Sequence, residues 1–203
     1  MTFLISAFCH ILLFILLFSV SVTDVKTLTI PPKYSHMITV TAIVKTAAEC
    51  IENVLRPGNV LQSIDALQSI DALQSVDALQ YENALQSIDA LHYENVMDCL
   101  LRHLGGMVVL GTVLFLFRLA TRGNGIGGGD VRLMCGVGMF LGVWPGLEAL
   151  LIGSVCFCVY FAVSDSVEKE TGKACGFLRR QFPFGPFLAF GTVIVDLWTI
   201  FVR

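Results

Sequence analysis

Two aspartates hold the residue chemistry that matters most in this chain. Asp130 closes the glycine-rich run GNGIGGGD (residues 123–130) and opens an almost wholly apolar stretch that follows it. Asp24 sits in SVTDVKTLTIPPKYS, just past another apolar run and seven residues before Pro31. Carboxylates are costly at membrane depth and are functional suspects there by default. Two of them in one partly dry site cannot both ionise easily, so they share a proton. The ionised member can take a proton from water while the protonated one polarises a carbonyl, which is the chemistry of aspartic amide hydrolysis. It needs no metal and no cofactor. Each residue also has a plainer reading. Asp130 can be a helix cap, since Asp is favoured at helix starts, and Asp24 can be a solvated boundary residue. Gly123, Gly125 and Gly128 also satisfy G-x-G-x-x-G. A dinucleotide site needs a preceding strand, an amphipathic helix and a suitable acid about 20 residues further on; here apolar membrane segments stand on both sides and no suitable acid appears.

The elements that must position these residues are membrane helices. Of 203 residues, 55% are hydrophobic and 14% charged, with a mean hydropathy of +0.76. A soluble domain carries roughly 25% charged residues, so this chain lacks the polar surface to cover a globule. The fold expected is all-α and polytopic, a single membrane domain over 1–203 with about six transmembrane helices at 2–22, 35–52, 99–120, 131–144, 146–163 and 184–202. The second is weak because it is short and contains Lys45. Trp144-Pro145-Gly146 is read as the turn between the fourth and fifth. The first is read as a retained helix and not a cleaved signal, because no basic residue precedes Lys26.

Placing Asp24 and Asp130 on one side gathers Lys26, Lys33, Arg118, Arg122, Arg132, Lys169, Lys173, Arg179 and Arg180 there. By the positive-inside rule that side is cytoplasmic. Nothing in the charge distribution suggests nucleic acid.

Residues 61–96 are six consecutive hexads, LQSIDA, LQSIDA, LQSVDA, LQYENA, LQSIDA and LHYENV. A six-residue period steps successive leucines by about 120° around a helix and builds no single apolar face. The segment 57–98 is therefore expected to be an acidic insert on the non-cytoplasmic side, a loop with little fixed structure or a marginal helix hairpin. The seven cysteines form no C-x-x-C pair, and His10, His36, His92 and His103 have no ligand spacing, so no metal is assigned.

GIGGGDVRLM resembles the GxGD signature of the type IV prepilin peptidases, aspartic proteases of bacterial and archaeal membranes. Asp24, Ile30 and Pro31 are similar to that family's first aspartate motif, and FPFGPFLAFG (182–191) to the stretch opening its last helix. Pro32 stands where the family often has Asn. The resemblance implies Asp24 and Asp130 as a catalytic pair, with Gly127, Gly128 and Gly129 shaping the loop that presents Asp130. It further implies removal of a short basic leader from a prepilin-like substrate at the cytoplasmic face of the inner membrane, with the substrate's apolar segment left in the lipid bilayer. With no C-x-x-C region, the chain resembles the short form associated with Flp-type pili, so methyl transfer is not expected. An acidic group, Asp165, Glu168 and Glu170, could greet a basic leader. Two other readings stand beside this one: a non-catalytic or degenerate membrane scaffold, and a GxGD protease that cuts within a transmembrane substrate. The sequence leaves oligomeric state open.

Overall fold

A computed structural model describes residues 2–55, 78–121, 127–170 and 183–202. All of the regular structure among them is helical: α1 (Thr2–Thr27), α2 (Pro32–Leu55), α3 (Ala78–Ala120), α4 (Gly128–Leu141), α5 (Val143–Glu170) and α6 (Gly185–Val202). Four of these, α1, α3, α5 and α6, are long and apolar enough to cross a membrane. The expected six spans thus correspond to six helices of which two fall short. At about 1.5 Å per residue the 14 residues of α4 reach only about 21 Å, less than the ~30 Å hydrocarbon layer.

Its brevity suits its place at the centre, where it packs against α2, α3, α5 and α6. Leu133, Met134, Val137 and Phe140 of α4 are fully buried against Leu13, Leu17 and Val20 of α1, Ile38 of α2, Leu110 of α3 and Leu188 of α6. Where α3 crosses α4, Gly106 and Gly138 bring the two backbones into contact, and a Cβ on either would strike the other's carbonyl. Small residues of this kind let membrane helices approach closely and gain packing that lipid cannot supply. Facing outward are Ile11, Ile15 and Phe18 of α1, Phe117 of α3, Val155 and Val159 of α5, and Phe201 of α6. So broad an exposed apolar surface suits contact with lipid.

Three features depart from expectation. The turn between α4 and α5 is made at Gly142, whose φ of 90° favours a residue without a Cβ. Trp144-Pro145-Gly146 lies one step later, inside the first turn of α5, where proline's missing N–H would have no helical partner in any case. The weak second segment is a full 24-residue helix. Its Lys45 is buried and faces inward, with Nζ 2.8 Å from the Phe140 carbonyl and 3.1 Å from Glu49. Third, the later hexads, from Ala78, are helix and run without a break into the apolar part of α3. Ala, Leu, Gln and Glu are good helix formers, and a helix needs no apolar stripe where it need not pack. The earlier hexads fall outside the described residues.

Candidate functional site

Asp24 lies near the C-terminal end of α1, and that end is polar without unwinding. The hydroxyls of Ser19, Thr23 and Thr27 each donate to the carbonyl four residues back, so the helix satisfies its own polar groups. Leu28 then takes a left-handed conformation, φ 52°, and its N–H donates to the Asp24 carbonyl at 2.8 Å. This closes α1 in the αL manner and turns the chain through Ile30 and Pro31 into Pro32, the first residue of α2, a position proline favours.

The Asp24 side chain is 5% exposed. Its Oδ2 accepts a hydrogen bond from the backbone N–H of Gly185, the first residue of α6, at 2.9 Å. No side chain would fit at Gly185: a Cβ there would stand 2.8 Å from Asp24 Oδ2 and 3.3 Å from Ile30 Cδ1.

Asp130 is in the first turn of α4 and is 7% exposed. Gly127 caps the helix with extended backbone, and its N–H donates to Asp130 Oδ2 at 3.1 Å. That is the reciprocal half of a capping box, an acid three residues in reaching back to the cap amide. The cap reading is thus correct for one oxygen, with Asp130 as the third helical residue and not the cap itself. It does not account for the other: Oδ1 is buried with no hydrogen-bond partner.

Ile30 joins the two aspartates. A Cβ on Gly129 would stand 2.7 Å from Ile30 Cβ and 3.2 Å from its carbonyl oxygen, so the start of α4 rests on the same residue that touches Gly185. The side chain of Arg118, at the end of α3, lies against Gly128. Gly127, Gly128 and Gly129 therefore do separate things: one donates to Asp130, one accommodates an arginine, and one admits the α1–α2 connection.

Asp130 precedes the apolar run of α4. Burial first, and then the negative charge of Asp24, push its carboxyl up to about 6, while the Gly127 amide pulls the other way. The structure thus brings Asp24 and Asp130, 106 positions apart, within electrostatic reach across the starts of α4 and α6. Lys26, Lys33, Arg118 and Arg132 are exposed around that end of the bundle. Gly123, Gly125, Arg122 and the side chains of Asp165, Glu168 and Glu170 lie outside what is described.

At the opposite end is a polar cluster that sequence reasoning missed. His103 Nε2 is 2.9 Å from Glu49 Oε2, and its Nδ1 is 2.7 Å from the Met139 carbonyl. Lys45 lies 4.4 Å from the centre of the Phe140 ring, and His10 meets the same ring edge-on. His10 in turn bonds Asp196, fully buried, at 2.8 Å. The legible signal was Lys45 with Glu49 one helical turn later, an inward-facing ion pair.

Residues 85–163 match the type IV leader peptidase family. The match includes Asp130 and excludes Asp24. A prepilin leader peptidase/N-methyltransferase of Aeromonas salmonicida (strain A449) is 29% identical over 101 residues, 50% of this chain and 33% of the relative. One from Stutzerimonas stutzeri is 33% identical over 93 residues, 46% of this chain and 30% of the relative. The matched part thus spans about a third of the length of these curated relatives. No solved structure matches. The apolar helices and the family together make this a multi-pass membrane protein.

Proposed function

We propose that the chain is an aspartic membrane endopeptidase that removes the leader of prepilin-like precursors, of the Flp type, with Asp24 and Asp130 as its catalytic pair. One observation carries the reading. Two buried carboxylates from distant parts of the chain share one charge environment, each has an oxygen fixed by a glycine amide, and Asp130 keeps a second, unpartnered oxygen.

Such a pair, once one carboxyl is ionised, holds the remaining proton between its members. The ionised carboxylate takes a proton from a water, and the resulting hydroxide character attacks the scissile carbonyl carbon. The protonated carboxyl donates to the carbonyl oxygen, so the tetrahedral intermediate forms without an isolated oxyanion. Collapse breaks the C–N bond, and the proton first taken from water goes to the leaving amine. The other carboxyl recovers its own proton, and the dyad returns to its starting state. The Gly127 and Gly185 amides orient the two carboxylates, so little reorganisation remains for the reaction.

The basic residues at the dyad end, by the positive-inside rule, support a cytoplasmic-facing site in the inner membrane. The hexad insert then lies on the non-cytoplasmic side, away from the chemistry. A precursor's leader would meet the dyad at that membrane edge with its apolar segment still in lipid.

The test is co-expression with a Flp-type prepilin, comparing wild type with Asp24→Asn and Asp130→Asn after confirming that all three reach the membrane. Wild type alone should shorten the precursor, with the cut before its apolar segment by mass spectrometry. A cut inside that segment would instead favour a general GxGD intramembrane protease. Cleavage that survives in both variants would remove the dyad.

A further inference from the structure

The polar cluster at the end of the bundle away from the dyad has the make-up of a metal site. We propose that Glu49, Cys99 and His103, joined by Cys50, bind a zinc-class divalent cation that fastens α2 to α3. This proposal is independent of the peptidase reading.

The argument starts with His103, whose side chain is buried. Its Nδ1 faces the Met139 carbonyl at 2.7 Å. A carbonyl only accepts, so Nδ1 carries the proton. The ring's Nε2 lies 2.9 Å from Glu49 Oε2. Glu49 is held as a carboxylate by Lys45, whose Nζ is 3.1 Å from the other oxygen. The Glu49 carboxylate thus lies between a histidine nitrogen and an ammonium where α2 meets α3.

That contact by itself is a hydrogen bond; the sulfur beside it is what makes the group a ligand set. The Cys99 sulfur, the Glu49 carboxylate and the His103 nitrogen all lie within 4.8 Å of one another. Cys50, next to Glu49 on α2, sets its thiol beside that of Cys99. Nitrogen, carboxylate and sulfur donors together suit a borderline-soft, four-coordinate ion. A ligating histidine also almost always donates its other N–H to a carbonyl or carboxylate, as His103 does to Met139.

Binding would release the thiol protons of Cys50 and Cys99 to solvent. The charges then balance: a dication and the Lys45 ammonium against two thiolates and the Glu49 carboxylate. A neutral cluster is what a low-dielectric interior tolerates.

Position supplies the purpose. The chain between Cys50 and Cys99 contains all six hexads. An ion held by residues just before and just after them ties off the insert where it leaves the bundle. It confines a segment that offers the core no apolar face, and metal binding energy becomes folding energy in such a case.

The experiment uses the full chain in detergent with a non-thiol reductant, loaded with Co²⁺ and freed of excess metal. Wild type should retain a single cobalt per chain, with a thiolate-to-cobalt band and tetrahedral visible bands. Zn²⁺ should displace it and raise the melting temperature. Cys99→Ser should lose the thiolate band and most of the cobalt. Cys158→Ser, which removes an exposed thiol on α5, should change neither. Wild type without retained cobalt would overturn the proposal, as would equal loss in Cys99→Ser and Cys158→Ser. Recovery of Cys50 and Cys99 as a disulfide-linked peptide pair from freshly isolated protein would also overturn it.

Discussion

Gly129 and Ile30 are in such close contact that a side chain at position 129 would force a shift: its Cβ would lie 2.7 Å from Ile30 Cβ. The start of α4 and the connection after α1 are pressed together there, and that contact sets the spacing of Asp130 from Asp24. Gly129→Ala should reach the membrane yet lower prepilin cleavage by roughly 10- to 100-fold, the scale of a small misplacement of catalytic groups. Adding Ile30→Ala should restore part of the loss, because it removes the atoms the new methyl meets. A precursor-processing time course on the single and double variants checks this. A double variant no better than Gly129→Ala would mean that the glycine serves something other than this contact.

Asp130 should weaken the fold it serves. Its carboxyl is pushed up to about 6 from 3.8, so the folded state binds its proton more tightly than the unfolded state does. The stabilising proton is fully present below the unfolded value and is lost as pH rises through the folded one. At about pH 8 Asp130→Asn should therefore be more stable than wild type, by on the order of 3 kcal/mol at most. The difference should close below about pH 4. Melting curves in detergent across that range test the sign directly.

Cleavage should follow the same titration. If the pair works with one shared proton, the alkaline limb of kcat/KM reports loss of that proton. It should fall near the value at which Asp130 ionises, about 6, on the acid side of neutrality. A profile flat through this region would mean that Asp130 is not part of the proton-sharing unit.

Gly185→Ala should act through Asp24. The new Cβ would lie 2.8 Å from Asp24 Oδ2, forcing apart the hydrogen bond that orients it. A loss of kcat with little change in KM, about tenfold or more, is expected for a misdirected catalytic group. Steady-state kinetics on a peptide spanning the cleavage site separates the two constants.

Lys45→Met should cost folding without touching the chemistry. It leaves the Glu49 carboxylate and the Phe140 carbonyl without their ammonium, and stranding one partner of a buried pair costs about 3–5 kcal/mol. The yield of folded protein should fall, while the rate per folded molecule stays near wild type. Pairing it with Glu49→Gln should recover yield, which can be read by size-exclusion chromatography in detergent.

The sequence by itself determined the class of the molecule and its suspect residues. Low charge and long apolar runs leave no soluble solution, because backbone and surface must both be satisfied in lipid. A carboxylate at the lip of each of two such runs is conspicuous for the same reason, and GIGGGD with the Asp24–Ile30–Pro31 spacing pointed to the family that residues 85–163 match. Local pattern misjudged features that depend on what an element packs against. Lys45 made α2 look weak, and α2 is not among the helices apolar enough to span; what hydropathy cannot see is that Lys45 turns inward to an ion pair within a full 24-residue helix. The turn proved to be at Gly142, three residues before a proline that helix starts tolerate.

Only the tertiary structure decided which distant groups meet. The nearness of Asp24 to Asp130 depends on Ile30 fitting between Gly129 and Gly185, a steric match among three chain segments that no spacing rule encodes. Cys99 and His103 stand one turn apart on α3, but Glu49 comes from α2, on the far side of the hexads, so the three do not read as one ligand set. Spacing reports neighbours along one element, whereas a buried site is assembled across several, and the close packing of short α4 against its neighbours brings these together.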